Sequence, residues 1–274
     1  MIGMSGIFLI KFGGNTLSEP DNVKRLAKEI ADLQKAGKSV IVVHGGGPSI
    51  SEEMKRRGLN PVMVGGQRIT DEAALECVED TLRGINEMFV RALQDEGATV
   101  VGLGAFLFTL SEKKPPYHVL VDGKEEVVDL GLVGNVVSVN AETVTDLLAD
   151  GVLPVVYPVG TDGKHHLNVN ADTMAAGIAA GVKAEEMIAV TDVPGILRDV
   201  HDLSSKIDRV NLADIDRLIA DGTISGGMIP KVEACSKAVK AGASAVRMVD
   251  GRAQGNVITE VINGAQLGTL IVKE

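Results

Sequence analysis

The first apolar run of the chain, Ile7-Phe8-Leu9-Ile10, continues directly into Lys11-Phe12-Gly13-Gly14. A short, continuous apolar run that ends at glycines is typical of a strand buried on both faces. Lys11 would then leave the carboxyl end of a parallel strand, where open α/β sheets bind ligands. Taken alone, Lys11 is explained more simply as a solvated lysine at the end of a strand.

A second run, Val40–Val43, has the same character and also ends at a glycine cluster. The spacing of three and four between the apolar residues that separate the two runs predicts a helix, with Ser18 and Asp21 as candidate caps and Gly37 as its end. These residues are Val23, Leu26, Ile30 and Leu33. Together the three segments predict a βαβ unit.

The alternation continues along the chain. Helices are predicted over 48–57, 70–96, 141–149 and from 171 onward, and strands over 99–103, 153–159, 187–190, 245–249 and 269–272, with helices before the last two strands. Residues 113–137 break the rhythm and predict a hairpin lid with its turn at Asp122-Gly123. We therefore expect an α/β fold: a three-layer α/β/α sandwich around a mainly parallel central sheet, in one domain with two lobes.

The composition excludes several classes of protein. Hydrophobic residues at 45% and charged residues at 23% are ordinary for a globular domain. The net charge of −10, with aromatics at 3% and no Trp, makes nucleic acid an improbable partner. The run Ile7–Ile10 is too short for a signal peptide or a membrane span, so we expect a cytoplasmic protein without a membrane partner. Cys77 and Cys235 match no metal spacing and are expected to be buried and free. His165-His166 is expected in a solvated turn.

Three further motifs carry polar chemistry. Gly45-Gly46-Gly47, between His44 and Pro48, would expose backbone N–H groups at the start of a helix, although a tight turn alone would also explain the glycines. In the motif 168–172, Asn170 is the expected N-cap and Asp172 could pair with ammonium groups. Lys231 follows a further glycine pair at 226–227. Lysines and open amides suit a multiply charged anion, so the sequence favours phosphoryl transfer. The glycines match neither a Walker A loop nor a dinucleotide fingerprint.

In combination these motifs resemble the amino-acid kinase family along essentially the whole chain. The resemblance rests on residues 11–14, 44–48, 66–71, 129–134, 168–172, 191–197, 225–232 and 250–252. It implies the amino-acid-kinase fold, with residues 1–183 binding the substrate and residues 184–274 binding the nucleotide. It also implies an enzyme of arginine biosynthesis that forms an acyl phosphate from ATP and the side-chain carboxylate of N-acetyl-L-glutamate.

The resemblance assigns roles to individual residues. Lys231 would stabilise the leaving phosphate and Lys11 the transferring group, while Asp172 organises both ammonium groups. Gly13 and Gly46 would donate backbone hydrogen bonds to phosphoryl oxygens. The acylated amino acid would be bound by Arg68 and Asn168, with Gly46 and Gly47 nearby. The nucleotide would be bound by Asp192, Val193, Pro194, Gly195, Ile196, Leu197, Thr223, Ile224 and Ser225.

The resemblance further implies Mg²⁺ carried on the ATP phosphates, without a dedicated metal site of protein carboxylates, and a homodimer. The apolar stretch 104–108 departs from the family's polar turn and leaves the acyl group open, because Lys113-Lys114 and Pro115-Pro116 follow it directly. Two alternatives remain. One is a kinase for aminoadipate or glutamate carried on a small acidic protein, and the other is a regulator that binds nucleotide or amino acid without turnover.

Overall fold

A computed structural model describes residues 6–14, 16–121, 124–252 and 255–274. Asn15 and the predicted turn at Asp122-Gly123 lie outside the described residues. The strands are β1 Ile7–Phe12, β2 Ser39–His44, β3 Met63–Val64, β4 Gln67–Arg68, β5 Val100–Gly104, β6 Thr109–Lys113, β7 Tyr117–Val121, β8 Lys124–Val128, β9 Val133–Val139, β10 Leu153–Tyr157, β11 Val159–Thr161, β12 His166–Val169, β13 Glu186–Thr191, β14 Arg209–Asn211, β15 Ala245–Asp250 and β16 Thr269–Val272. The helices are α1 Pro20–Lys35, α2 Gly47–Arg56, α3 Glu72–Asp95, α4 Ala141–Ala149, α5 Ala171–Gly181, α6 Leu212–Ala220, α7 Met228–Lys240 and α8 Val257–Ile262.

Eight strands form the central sheet, in the order β14-β16-β15-β13-β1-β2-β10-β5. Every neighbouring pair is parallel except β15 and β16, which are antiparallel. Strand β1 lies between β2 and β13, with Lys11 opposite Val43 on one side and Ala189 on the other. The sheet is therefore mainly parallel, as predicted, and Lys11 leaves it near the middle.

Successive residues of the central strands face opposite layers, as the pleat requires. Leu9 and Ile41 pack in one core with helices α4, α5, α6 and α7. Ile10 and Val42 pack in a second core with α1, α3 and α8. Helices thus cover both faces of the sheet, which confirms the three-layer sandwich and explains why these strands are apolar throughout.

A smaller sheet, in the order β11-β12-β9-β6, and two hairpins, β3-β4 and β7-β8, lie outside the central sheet. The β7-β8 hairpin confirms the one predicted within residues 113–137. It meets the β3-β4 turn closely, since a side-chain carbon added at Gly65 would lie 2.4 Å from the ring of Tyr117. Lys114, in the segment that leads into β7, donates from its Nζ to Gln67 Oε1 at 3.0 Å. The two hairpins are therefore joined by these contacts.

Several local predictions were wrong. Helix α1 begins after Glu19, which makes no side-chain cap, with Pro20 at its first position. Ser18 and Asp21 are therefore not its N-cap; proline supplies the helical φ in advance and has no N–H to be capped. Gly37, with φ +77°, does end the helix. The strand predicted over 153–159 divides between the two sheets, since β10 belongs to the central sheet and β11 to the smaller one.

His166 also departs from the prediction. It begins β12 rather than lying in a turn, its ring stacks on Phe106, and its Nδ1 lies 3.1 Å from Glu79 Oε2. His165 does lie in an exposed turn. Strands β3, β4, β6, β9, β12 and β14 and helix α6 were not predicted. Among the helices of the described residues, none is both long and apolar enough to cross a membrane.

Candidate active site

Two neighbouring cavities lie along the carboxyl ends of the central strands. The first, of about 340 Å³, is lined in part by Lys11, Gly46, Gly47, Arg68, Asn168 and Asp172. The second, of about 820 Å³, is lined in part by Lys11, Gly13, Asp192, Lys231, Gly251 and Arg252. We call them the inner cavity and the outer cavity. Lys11 and Gly14 line both, so the two spaces meet at the end of β1.

Lys11 is fixed by an aspartate from the neighbouring helix. Its Nζ lies 2.7 Å from Asp172 Oδ1, and the lysine side chain is only 11% exposed. Asp172 stands in the first turn of α5, whose N-cap Asn170 accepts hydrogen bonds from the amides of Asp172 and Thr173 at 2.9 and 3.2 Å. The predictions that Asn170 is the N-cap and that Asp172 pairs with an ammonium group are confirmed.

Lys231 has a different partner from the predicted one. It stands in the first turn of α7, and its Nζ lies 2.7 Å from Asp192 Oδ1. The hydrogen bond from Lys231 lowers the pKa of the Asp192 carboxyl below its ordinary value. The expectation that Asp172 organises both ammonium groups is therefore not met here. Lys231 reaches only the outer cavity, where the carboxylate at the end of β13 is the nearer one.

The glycine motif forms a strand–turn–helix junction, as predicted. Strand β2 ends at His44, Gly46 is the N-cap of α2, and no side chain caps this helix. A side-chain carbon at Gly46 would lie 2.8 Å from Ile85 Cδ1 and 3.0 Å from Leu82 Cδ2, so any larger residue would have to displace these side chains. Because the first amides of a helix have no intrahelical acceptor, the start of α2 offers N–H groups to the inner cavity.

Gly13 lines the outer cavity but does not present a free amide. Its N–H donates to the carbonyl oxygen of Val190 at 3.3 Å. This length is beyond the usual range for an N–H···O bond, so the bond is weak. The predicted donation from Gly13 to a phosphoryl oxygen would require this bond to break, and it stays a prediction. Gly14 comes close to the opposite turn, since a side-chain carbon there would lie 2.8 Å from Pro48 Cδ.

Arg68 is a buried cation without an anionic partner. Its relative exposure is 7%, and its Nη2 donates to Ser51 Oγ at 2.8 Å and to the Gly47 carbonyl oxygen at 3.1 Å. None of the salt bridges among the described residues includes it. Burial lowers the pKa of its guanidinium from the ordinary value. Because a buried charge usually has a counter-ion, Arg68 gives the inner cavity a cation that is able to bind an anion.

Asn168 also lines the inner cavity, where its Nδ2 donates to Thr70 Oγ1 at 3.1 Å. Of the nine residues predicted to bind nucleotide, only Asp192 lines the outer cavity. The side chains of Ile196 and Ile224 are buried in the core that contains Leu9 and Ile41, and Leu197 is also buried. These three side chains are therefore not available to a ligand, and contacts from their segments would come from the backbone or from exposed neighbours such as Ser225.

The structure adds residues that the sequence reasoning did not select. Asn22 and Arg252 line the outer cavity, and Ser51 and Thr70 hold Arg68 and Asn168 in the inner one. Arg252 Nη2 donates to the carbonyl oxygen of Asp192. Arg252 could have been selected from the sequence, because it lies in the motif 250–252 that resembles the family. Asn22 gave no signal, because the helical pattern of α1 identifies its apolar face and not the polar residue beside β1.

No group of three or more His, Cys, Asp or Glu within the described residues is placed to hold a metal ion. Cys77 and Cys235 are free and buried, as predicted. Burial raises the pKa of the Cys235 thiol to about 12. Both cysteines therefore serve as small core side chains.

Comparison with known proteins agrees with this architecture. The sequence model of the amino acid kinase family matches residues 6–250. Acetylglutamate kinase from Methanosarcina mazei is 39% identical over 269 residues, which are 97% of this chain and 92% of the relative. Acetylglutamate kinase from Methanococcoides burtonii is 36% identical over 272 residues, 98% of this chain and 90% of the relative.

Solved structures show the same fold at lower identity. N-acetylglutamate synthase from Neisseria gonorrhoeae, complexed with coenzyme A and L-arginine, superimposes on 98% of this chain with a TM-score of 0.79 at 20% identity, and this chain spans 62% of its length. Giardia carbamate kinase covers 98% of this chain with a TM-score of 0.69 at 20% identity, over 99% of its own length. The family match spans most of the sequence, and the fold of these structures is the one described above. The chain belongs to the amino acid kinase family.

Proposed function

We propose that this protein is an ATP-dependent kinase that phosphorylates the side-chain carboxylate of N-acetyl-L-glutamate, in arginine biosynthesis. The observation that carries the proposal is Arg68, which is buried without a carboxylate partner among the described residues, in a cavity that shares Lys11 with a second cavity. The names of relatives 36–39% identical over nearly the whole chain support the same activity.

The inner cavity suits the acylated amino acid. Its volume of about 340 Å³ is that of a small-molecule site. The Arg68 guanidinium would hold the α-carboxylate, because a planar fork of N–H donors matches a carboxylate. The Asn168 amide and the amides of Gly46 and Gly47 would bind the remaining polar groups. The side-chain carboxylate would then lie towards Lys11, at the end of the cavity that opens to its neighbour.

The outer cavity suits the nucleotide. Its volume of about 820 Å³ is more than twice that of the inner cavity, and Lys231 and Arg252 contribute cations to its wall. We assign the substrate to residues 1–183 and the nucleotide to residues 184–274, with Lys11 of β1 at the boundary. The γ-phosphoryl group of ATP would lie beside Lys11, since that lysine lines both spaces.

The chemistry follows from this placement. A carboxylate nucleophile is already ionised at neutral pH, so no general base is needed. Two anions must instead be brought together, and catalysis consists of alignment and neutralisation of charge. Lys11 would neutralise the transferring phosphoryl group, with Asp172 fixing the position of its ammonium. Lys231 would leave Asp192 for the phosphates on the leaving side.

A divalent cation, which we take to be Mg²⁺ bound to the ATP phosphates, would supply further neutralisation of phosphate charge. Asp172 and Asp192 present hard oxygen donors of the kind that Mg²⁺ accepts. Each of these carboxylates already accepts from a lysine at 2.7 Å. Because both carboxylates are already paired with lysines, this fits an ion that the nucleotide would carry.

The proposal is tested by trapping the acyl phosphate with hydroxylamine, in the presence of ATP and Mg²⁺. N-acetyl-L-glutamate, free L-glutamate and N-acetyl-L-aminoadipate are compared as acceptors. Hydroxamate is expected with N-acetyl-L-glutamate alone. Its absence with all three acceptors would overturn the proposal in favour of a carrier-linked substrate or of a protein that binds without turnover.

A matched pair of variants tests the role of Arg68 separately. Arg68→Lys keeps the charge and removes the fork, and we expect the KM for N-acetyl-L-glutamate to rise about 10- to 100-fold, the equivalent of a lost charged hydrogen bond. The KM for ATP should stay unchanged. Arg83→Lys is the control, because Arg83 is an exposed arginine paired with Asp80 at 2.7 Å. An equal effect in both variants would remove Arg68 from the substrate site.

A further inference from the structure

His44 and Asn86 form a buried polar pair below the glycine turn, and the mechanism above makes no use of them. Both side chains are buried, at 0% and 3% exposure. Asn86 Nδ2 lies 3.1 Å from His44 Nε2 and 2.9 Å from the carbonyl oxygen of Val155. His44 Nδ1 lies 3.1 Å from the carbonyl oxygen of Gly45. The pair thus joins α3 to the turn that precedes α2.

These contacts determine which nitrogen of His44 carries the proton. A backbone carbonyl can only accept, so the Asn86 atom that faces Val155 must be the NH₂ group. The same group faces His44 Nε2, which therefore accepts its second hydrogen. Nδ1 then carries the ring proton and donates it to the Gly45 carbonyl oxygen. Burial lowers the pKa of the His44 imidazole to about 4, so the ring is neutral at pH 7.

The Gly45 carbonyl belongs to the same peptide unit as the Gly46 N–H. In a trans peptide these two groups point in opposite directions, and the described residues contain no cis peptide bond. Gly46 lines the inner cavity, and its N–H donates to no acceptor among the residues that the structure describes. A peptide between two glycines can rotate more freely than any other, so its orientation needs an external constraint.

We infer that His44, oriented by Asn86, holds the Gly45–Gly46 peptide so that the Gly46 N–H points into the inner cavity as a fixed hydrogen-bond donor. His44 and Asn86 are positioning residues, since neither lines a cavity that the ligands would occupy. The inference rests on the proposed kinase activity, in which the Gly46 amide meets a phosphoryl or carboxylate oxygen. A donor that is oriented before the reaction stabilises developing charge without reorganisation.

Two substitutions at position 44 separate this role from simple core packing. His44→Asn keeps an N–H at the δ position, so it can still donate to Gly45, but it leaves Asn86 without its acceptor. His44→Gln places its amide near the ε position, so it can still meet Asn86, but it leaves the Gly45 carbonyl without a donor. We therefore expect His44→Asn to lower Tm while keeping kcat within about threefold. His44→Gln should keep Tm and lose about 10²–10³ in kcat, the usual effect of removing one oriented donor.

Asn86→Asp gives a third comparison. A carboxylate beside Nε2 would draw the ring proton to that nitrogen, which would leave a lone pair on Nδ1 facing the Gly45 carbonyl. The kcat should fall as in His44→Gln. The KM for ATP should not change, because the outer cavity is not lined by this turn.

The experiment measures kcat, KM and Tm for the three variants by acyl-phosphate trapping and thermal unfolding, together with ¹⁵N NMR of the His44 ring in the parent protein. The expected spectrum is that of the neutral Nδ1–H tautomer. The Nε2–H tautomer would overturn the inference whatever the variants do, including a variant that fails to fold. Asn86→Asp is also expected to lower Tm, because the Val155 carbonyl loses its donor. A fall of Tm and kcat together in both variants of His44 would reduce the pair to packing. A parent protein without turnover, but with the Nδ1–H tautomer, would instead contradict the proposed function and leave the peptide orientation standing.

Discussion

The two lysine–aspartate pairs of the site have the same length and different surroundings. Lys11–Asp172 and Lys231–Asp192 both measure 2.7 Å, but the side chains of the first pair are 11% and 28% exposed and those of the second are 31% and 61% exposed. Water screens an exposed pair and makes its net contribution small. Lys11 is thus held more firmly than Lys231, and in the proposed mechanism Lys231 would exchange Asp192 for a phosphate at little cost. Distance alone does not distinguish these roles.

The largest expected effect comes from Lys11→Met. It removes the cation that lines both cavities, and we expect kcat to fall about 10²–10³-fold. ATP affinity should change much less, because Lys231 and Arg252 remain. The measurement is acyl-phosphate trapping at saturating substrates beside a direct ATP titration. Lys28→Met is the control, since Lys28 also forms a short ion pair, at 2.8 Å with Asp32, on the exposed face of α1. Equal turnover in Lys11→Met and the parent would show that the Lys11–Asp172 pair has no catalytic role.

The second effect is a loss of stability at low pH, and it tests whether water is excluded from the buried ring of His44. The pKa of His44 is about 4 in the folded protein, against an ordinary value of 6.5. Between these values the unfolded chain binds the extra proton, so stability is full above about pH 6.5 and falls as pH drops towards about 4, by up to about 3 kcal/mol. Urea unfolding of the parent and of His44→Asn across this range measures the term. The parent should lose more stability than the variant, and equal pH slopes would mean that water reaches the ring.

Lys231→Met should have a smaller effect than Lys11→Met. The loss of one charged hydrogen bond, about 1.5–3 kcal/mol, corresponds to about 10- to 100-fold in kcat. Lys237→Met on the same helix is the control, because Lys237 is exposed and lies 3.8 Å from Glu233. A loss larger than that of Lys11→Met would reverse the ranking of the two pairs.

The smallest effect is expected from Asp192→Asn, and its sign is the informative part. Asp192 competes with the phosphates for Lys231, so its neutralisation should lower the KM for ATP, by no more than about fivefold for an exposed pair. Asp172→Asn should instead lower kcat, because the Lys11 ammonium would lose its fixed position. Steady-state kinetics of both variants, with ATP as the varied substrate, measures the two effects. A rise of the KM for ATP in Asp192→Asn would show that this carboxylate supports the nucleotide.

The sequence was sufficient to predict those structural elements that depend on a local residue pattern. Apolar runs predicted seven of the eight strands of the central sheet. Short polar side chains before a helix predicted the cap at Asn170. Residues 113–137 were correctly predicted to contain a hairpin. Strands β11 and β14, of three residues each, are too short to leave a periodic pattern.

Contacts between distant segments could not be predicted in this way. The partner of Lys231 depends on how α7 meets the end of β13, and that geometry is set by packing. The burial of Arg68 depends on how α2 packs against β4. The sequence around Arg68 is typical of a loop. The contact of His44 with Asn86 joins positions 42 residues apart. In each case the sequence shows the type of the residue but not which distant residues it contacts.

One consequence follows from the seam between β1 and β13, whose residues pair in parallel from Phe8 with Glu186 to Phe12 with Val190. A cut in the chain near Lys183 would separate the two halves of the site, and β1 and β13 would each keep one neighbour, β2 and β15, and expose the other edge. Such fragments would complement one another and would not persist as independent modules. An engineer who exchanges the last third of this chain with that of a relative must therefore match the side chains along this seam, because the graft and its host share one continuous sheet.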